Sequence, residues 1–114
     1  MGIAKNGQRF VFGKDIDGVA AGDGVTRKVL AYCDEAMCVA NEFKKGAVGK
    51  LHSHPHTQVT YVASGAFEFE IDGEAHVVRQ GDSLLKQNGV AHGAKCLEDG
   101  VLVDFFSPKR DDFI

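Results

Sequence analysis

Four side chains in this sequence are spaced so that they could share one metal ion. His52 and His54 alternate, Gln58 follows four residues later, and His92 arrives after a Gly-rich stretch. On an extended strand, residues two apart share a face and stand roughly 6.6 Å apart, so two imidazoles at i and i+2 can lean onto one ion. A straight strand would put Gln58 about 13 Å from His54, too far to share it. Pro55 stands between them and is well placed to bend the chain. Gln supplies an oxygen ligand without a negative charge, which leaves a higher effective charge on the ion and favours Lewis-acid chemistry. Taken alone, a His pair on a strand reads as ordinary polar residues; the convergence of four ligand-capable side chains is what points to a metal. No single metal is selected, because imidazole and amide ligands suit Zn, Ni, Mn and Fe alike.

The elements that must position these residues read as all-β. Apolar residues nowhere recur at a helical period for three turns; short runs rich in Val, Phe, Tyr and Thr alternate with Gly, Asp and Asn. Strands are expected at 9–12, 25–32, 36–43, 51–54, 57–63, 66–71, 75–79, 83–86, 90–96 and 101–106, with 13–24 an irregular loop. Asp72-Gly73 is a two-residue hairpin signal, since both central positions of that turn favour φ > 0. Phe67, Phe69 and Ile71 then face a core, and Glu68, Glu70 and Asp72 face water. Short strands at regular spacing suggest a sandwich or barrel.

At 114 residues with a net charge of -3, the chain fits one domain spanning 1–114. Its basic residues are scattered among acidic ones, which argues against nucleic acid or an anionic membrane as partner and for a small molecule. No apolar run approaches the roughly 20 residues that span a bilayer, and the first residues hold no hydrophobic signal core, so a cytoplasmic location is expected. Cys33, Cys38 and Cys96 form no CxxC pair and read as reduced, small core residues. His56 lies past Pro55 and reads as pocket-lining or exposed, and His76 as a surface residue. Cys96, about 13 Å along the strand from His92, does not reach the same ion.

The first block runs Gly46, His52, His54, Gln58, Gly65, and the second Gly81, Gly89, His92. Together they resemble the two motifs of the cupin superfamily, which implies a small β-barrel of the double-stranded β-helix or jelly-roll type around one divalent metal. Gln58 stands where most cupins carry Glu, Gln87 where Pro is usual, and Cys96 where Asn is usual. A closer resemblance, over about residues 25–114, is to the pectin-degradation family KdgF. It is carried by His52-Ser53-His54-Pro55-His56, Gln58-Val59-Thr60-Tyr61-Val62, Phe67-Glu68-Phe69-Glu70, Cys96-Leu97-Glu98-Asp99-Gly100 and the tail from Phe106 to Phe113. Gln as the fourth ligand is expected there. The resemblance implies a cytoplasmic, homodimeric metal enzyme that opens the ring of 4,5-unsaturated uronates from pectin or alginate, giving 4-deoxy-5-keto uronate. Lys86, Gln87 and Lys109 depart from the family, a difference that bears on the pocket rim and not on the chemistry.

Alternation in the last strand places Leu102, Asp104 and Phe106 on one face, and Val101, Val103 and Phe105 on the other, packed against the rest of the sandwich. A carboxylate among apolar neighbours needs a reason, either hydrogen bonding to structure or a task in a cavity. The residues leave both open; the resemblance implies that Asp104, Phe106 and Arg110 are the non-metal active-site residues. Ser107-Pro108 reads as N-cap and first turn of a short terminal helix that folds Arg110 over the barrel mouth. A cupin dioxygenase and a non-catalytic sugar-binding cupin are the alternatives. Oxygen uptake would mark the first; the second is discriminated by whether Asp104→Asn abolishes turnover while leaving ligand affinity intact.

Overall fold

In the computed structural model, which describes residues 2–114, the chain is built from strands and two 3-10 turns. The strands are β1 (Val19–Ala20), β2 (Val25–Tyr32), β3 (Met37–Phe43), β4 (Val48–His52), β5 (Thr57–Ile71), β6 (Glu74–Arg79), β7 (Ser83–Lys86) and β8 (His92–Ser107). All pair antiparallel in one sheet that folds on itself. One layer runs β1-β2-β3, the second half of β8, the first half of β5, then β7. The other runs β4, the first half of β8, the second half of β5, then β6. The core between them holds Val62, Phe67, Phe69, Cys96 and Leu102. All three cysteines are free thiols, but only Cys96 is buried; Cys33 and Cys38 are half-buried.

Two expected breaks are absent. Residues 57–63 and 66–71 form one strand, as do 92–96 and 101–106, because Ser64-Gly65 and Asp99-Gly100 carry the pairing through with register shifts. Gly65 has φ +82°, and a Cβ there would lie 2.6 Å from the Asp99 carbonyl oxygen and from Gly100 Cα, so the two backbones cross where no side chain fits. The glycines bend the strands from one layer into the other.

The hairpin at Asp72 (φ 50°) and Gly73 (φ 82°) forms as expected. Arg9–Phe12 forms no strand, and Phe10 and Phe12 stay exposed. The arm instead touches β2 through the Gly7 N–H to the Tyr32 carbonyl, while β1, inside the expected 13–24 loop, pairs with β2 at Arg27 and Thr26. The C-terminal turn covers Asp111–Phe113, beginning later than expected. The Ser107 hydroxyl does not cap it; it donates to the Glu35 carbonyl. Among the described residues the outer face of β8 is only partly covered: Val101 and Val103 are half-buried, and Phe105 is 47% exposed, in a cross-strand row with Leu85, Val59 and Cys38.

Candidate metal centre and cavity

Strand register and the 53–56 connection bring the chemistry to one site, with His52 exposed, His54 half-buried and His92 buried. His52, the last residue of β4, is directly opposite His92, the first of β8. His54 is not on the strand; it lies in the 53–56 connection, so strand alternation is not what pairs it with His52. The His52 ring centroid lies 4.5 Å from that of His92 and 5.8 Å from that of His54. One ring nitrogen from each of His52, His54 and His92 lies within 4.8 Å of the others. Gln58 Oε1 faces His54 Nε2 at 2.8 Å, a separation compatible either with a hydrogen bond or with two donors on one cation.

Backbone carbonyls fix two of these rings. His52 Nδ1 is 2.8 Å from the Lys50 carbonyl and His92 Nδ1 is 3.1 Å from that of Val90, so each Nδ1–H donates outward and each Nε2 is left as a free lone pair. Burial, reinforced by the charge of Lys86, pushes His92 down to about 4, and burial also lowers His54. Neutral imidazole is the ligand form. The donor set, three imidazoles with an amide oxygen beside them, therefore fits a divalent transition-metal ion. His54 Nδ1 and His56 Nδ1 are buried without hydrogen-bond partners. His56 is half-buried with its ring against those of His54 and Phe106 and does not line the cavity; His76 is exposed beside Glu74.

His52, His92 and Gln58 line a cavity of about 290 Å³. Two cross-strand rows contribute Lys86, Gln58, Phe106 and Asp104 to one wall. One runs Lys86, Gln58, Phe106, Met37; the next runs Leu84, Thr60, Asp104, Val39. Asp104 is buried, accepting hydrogen bonds from the Thr60 hydroxyl at Oδ1 and, at 2.7 Å, from the Asn41 amide at Oδ2. Thr60 Oγ1 in turn accepts from the Lys86 ammonium at 2.9 Å and, at 3.4 Å, from the Gln58 amide. That fills its capacity of one donor and two lone pairs. Asp104 is thus tied into structure by hydrogen bonds and also lines the cavity.

Arg110 and Phe106 also line the cavity. The Arg110 guanidinium stacks on Phe113 at 4.4 Å and on Phe106 at 5.1 Å, and it donates twice to Asp112, at 3.0 and 2.8 Å. Its bidentate carboxylate partner is thus supplied by its own tail. Lys86 corrects an expectation. It is only 3% exposed and belongs to the cavity wall, not the rim. Burial lowers its pKa to about 8, with Asp104 opposing. Gln87 and Lys109 lie away from the cavity, the first exposed and the second held by Asp34 and Asp111. Reasoning from sequence missed Asn41, Thr60 and Arg27 as lining or network residues. Thr60 carried a signal, being two residues from Gln58 on the same strand face.

A double-layered antiparallel barrel with three convergent histidines at one end is a cupin, and residues 41–106 match the family model described as Cupin domain, so the chain belongs to that family. Within it, the chain is 45% identical over 95 residues, 82% of its length and 86% of the relative's, to the pectin degradation protein KdgF of Dickeya dadantii (strain 3937). Among solved structures, KdgF from Halomonas sp. superposes with a TM-score of 0.90 at 38% identity, over 94% of this chain and 99% of that one. An RmlC-like cupin from Shewanella frigidimarina NCIMB 400 superposes with a TM-score of 0.93 at 40% identity, over 97% and 100% of the two chains. No helix among the described residues is long and apolar enough to cross a membrane.

Proposed function

We propose that this protein is a metal-dependent enzyme that opens the ring of 4,5-unsaturated uronate monosaccharides, released from pectin or alginate, to 4-deoxy-5-keto uronate. The observation that carries this reading is a buried carboxylate, Asp104, lining the same monosaccharide-sized cavity as His52 and His92, two of three convergent histidines, in a chain similar to proteins named for pectin degradation.

The substrate joins its ring oxygen to hemiacetal C1 and to C5, an alkene carbon. In this reading Asp104 takes the proton of the C1 hydroxyl, the bond from C1 to the ring oxygen breaks, C1 becomes an aldehyde, and C5 is left as an enolate. Returning the proton to C4 gives the C5 ketone. The product is an isomer of the substrate, and no oxidant, reductant or water is consumed. His52, His54, Gln58 and His92 would hold the ion, which supplies Lewis acidity for negative charge developing in the substrate. Thr60 and Asn41 aim the Asp104 carboxylate. Phe106 offers a flat apolar wall for the sugar ring, and Arg110, clamped by Asp112, holds that wall from the solvent side.

The test follows the unsaturated-uronate absorbance on adding protein loaded with Zn, Ni, Mn or Fe. Absorbance is expected to fall with the loaded protein, to persist after chelation, and to persist with a His52→Ala/His54→Ala variant that elemental analysis shows to be metal-free. A steady absorbance with every loaded form, or full metal retention by the double variant, overturns the reading.

A further inference from the structure

We propose that the Lys86 ammonium is the anchor for the substrate's carboxylate, which makes this residue the one that selects an acid over a neutral sugar. The inference rests on the uronate reading above and extends it to a residue that the reading does not use.

Three cations line the cavity, and they are not equivalent. Arg110 is already neutralised by its two hydrogen bonds to Asp112. Arg27 lays its guanidinium 3.9 Å over the Phe113 ring, beside the C-terminal turn. Lys86 alone lies deep, 3% exposed, with its ammonium 4.6 Å from the Phe69 ring centroid. Its one hydrogen bond is to a neutral hydroxyl, Thr60 Oγ1. Among the described residues no carboxylate comes within ion-pair distance of it. Asp104, the acid on the neighbouring row, has both oxygens committed to Thr60 and Asn41.

An ammonium withdrawn from water, with one of its three donors paired and its nearest acid, Asp104, reached only through Thr60, is an expensive feature for a small fold to keep. An anion entering the cavity would supply the missing partner. The placement suits a uronate in particular. Lys86 is the direct cross-strand partner of Gln58, and Thr60 and Asp104 lie on the adjacent row. In the substrate C5 carries the carboxylate and C4 adjoins C5. Holding the carboxylate at Lys86 therefore sets C5, and the C4 that receives the proton, beside the row that carries Asp104.

The experiment compares Lys86→Met with the parent, both metal-loaded, on the free unsaturated uronate and on its methyl ester. Met keeps the length of the stem and removes the charge. The expected result is a KM for the acid raised on the order of 10- to 100-fold, the scale of a charged hydrogen bond, with kcat within about threefold and the ester's KM unmoved. Metal content is expected to be unchanged and the melting temperature equal or higher, since a buried charge has been removed. Lys86→Gln, which keeps a donor for Thr60, is expected to behave alike and serves if the Met variant does not fold. An unmoved KM in an active variant, or a parent that binds acid and ester equally, overturns the inference and leaves the uronate reading standing. A parent that opens neither compound overturns the uronate reading, and the inference falls with it.

Discussion

Asp104→Asn separates proton transfer from scaffolding, because the hydrogen-bond network can absorb the change. The carboxylate accepts from the Thr60 hydroxyl on one oxygen and from the Asn41 amide on the other. An Asn at this position keeps one oxygen, which can continue to accept from Thr60. Its new NH2 then faces the Asn41 NH2, a donor against a donor, but a flip of the Asn41 amide presents its oxygen instead and restores the pair. Thr60 still accepts from Lys86. The structural loss is the difference between charged and neutral hydrogen bonds, about 1 kcal/mol and so a few degrees in melting temperature for a chain of this size. The chemical loss is of a different order. A missing acid-base group lowers the rate about 10² to 10⁴-fold, or about 2.7 to 5.4 kcal/mol on the barrier. The assay is the decay of unsaturated-uronate absorbance, with metal content and melting temperature measured on the same preparation. Retained metal, near-parental melting and a rate down by at least about 10²-fold is the expected result. The reasoning fails if Asp104→Asn melts several degrees lower yet opens the substrate at the parent rate, for Asp104 would then be a structural carboxylate only.

Gln58→Glu puts a negative charge beside the three imidazoles and opposite Lys86, so we expect the ion to survive a stronger chelator while ring opening slows; an unchanged rate would show that the charge on the ion does not set the slow step. Hydrogen bonds from Arg110 hold the Asp112 carboxyl below the ordinary carboxylate range, so its folded value is depressed and the latch is present at neutral pH and lost as pH falls through that lowered value. Hydrogen-exchange protection of residues 108–114 is thus expected to drop at strongly acidic pH, and at pH 7 in Asp112→Asn; protection unmoved by the substitution would exclude the latch. The outer-face row of Val59, Leu85 and Phe105, each 40–54% exposed, is the surface we expect to be covered in a homodimer, and a sedimentation mass of one chain at micromolar concentration would refute it.

How much of the fold was readable depended on whether the deciding physics was local. The Asp72-Gly73 hairpin, β2 and β7 were legible because φ preference and alternation are properties of adjacent residues. The continuity of β5 and β8 was not. Ser64-Gly65 and Asp99-Gly100 carry the residue types of turns, and only their mutual contact shows that glycine is there to let two backbones cross. Arg9–Phe12 had the alternation of a strand, but alternation does not supply a partner, and no ladder forms along that segment.

The candidate centre divides along the same line. His52, His54, Gln58 and His92 were legible as a set because ligand chemistry restricts which residue types can converge, even though His54 reaches the others from a connection and not from a strand face. Lys86 was legible only as a difference from the family, and it was assigned to the wrong place. At the end of a four-residue strand beside Gln87, Asn88 and Gly89, a lysine reads as a solvated charge. Its burial is decided by a partner 28 residues earlier: once β7 pairs with β5 so that Lys86 opposes Gln58, the side chain on that face can only point where Gln58 and Phe106 point, into the cavity. Thr60 then becomes necessary. A buried ammonium and a buried carboxylate on adjacent rows, not in direct contact, need a group that accepts from one and donates to the other, and a hydroxyl is a small side chain that does both.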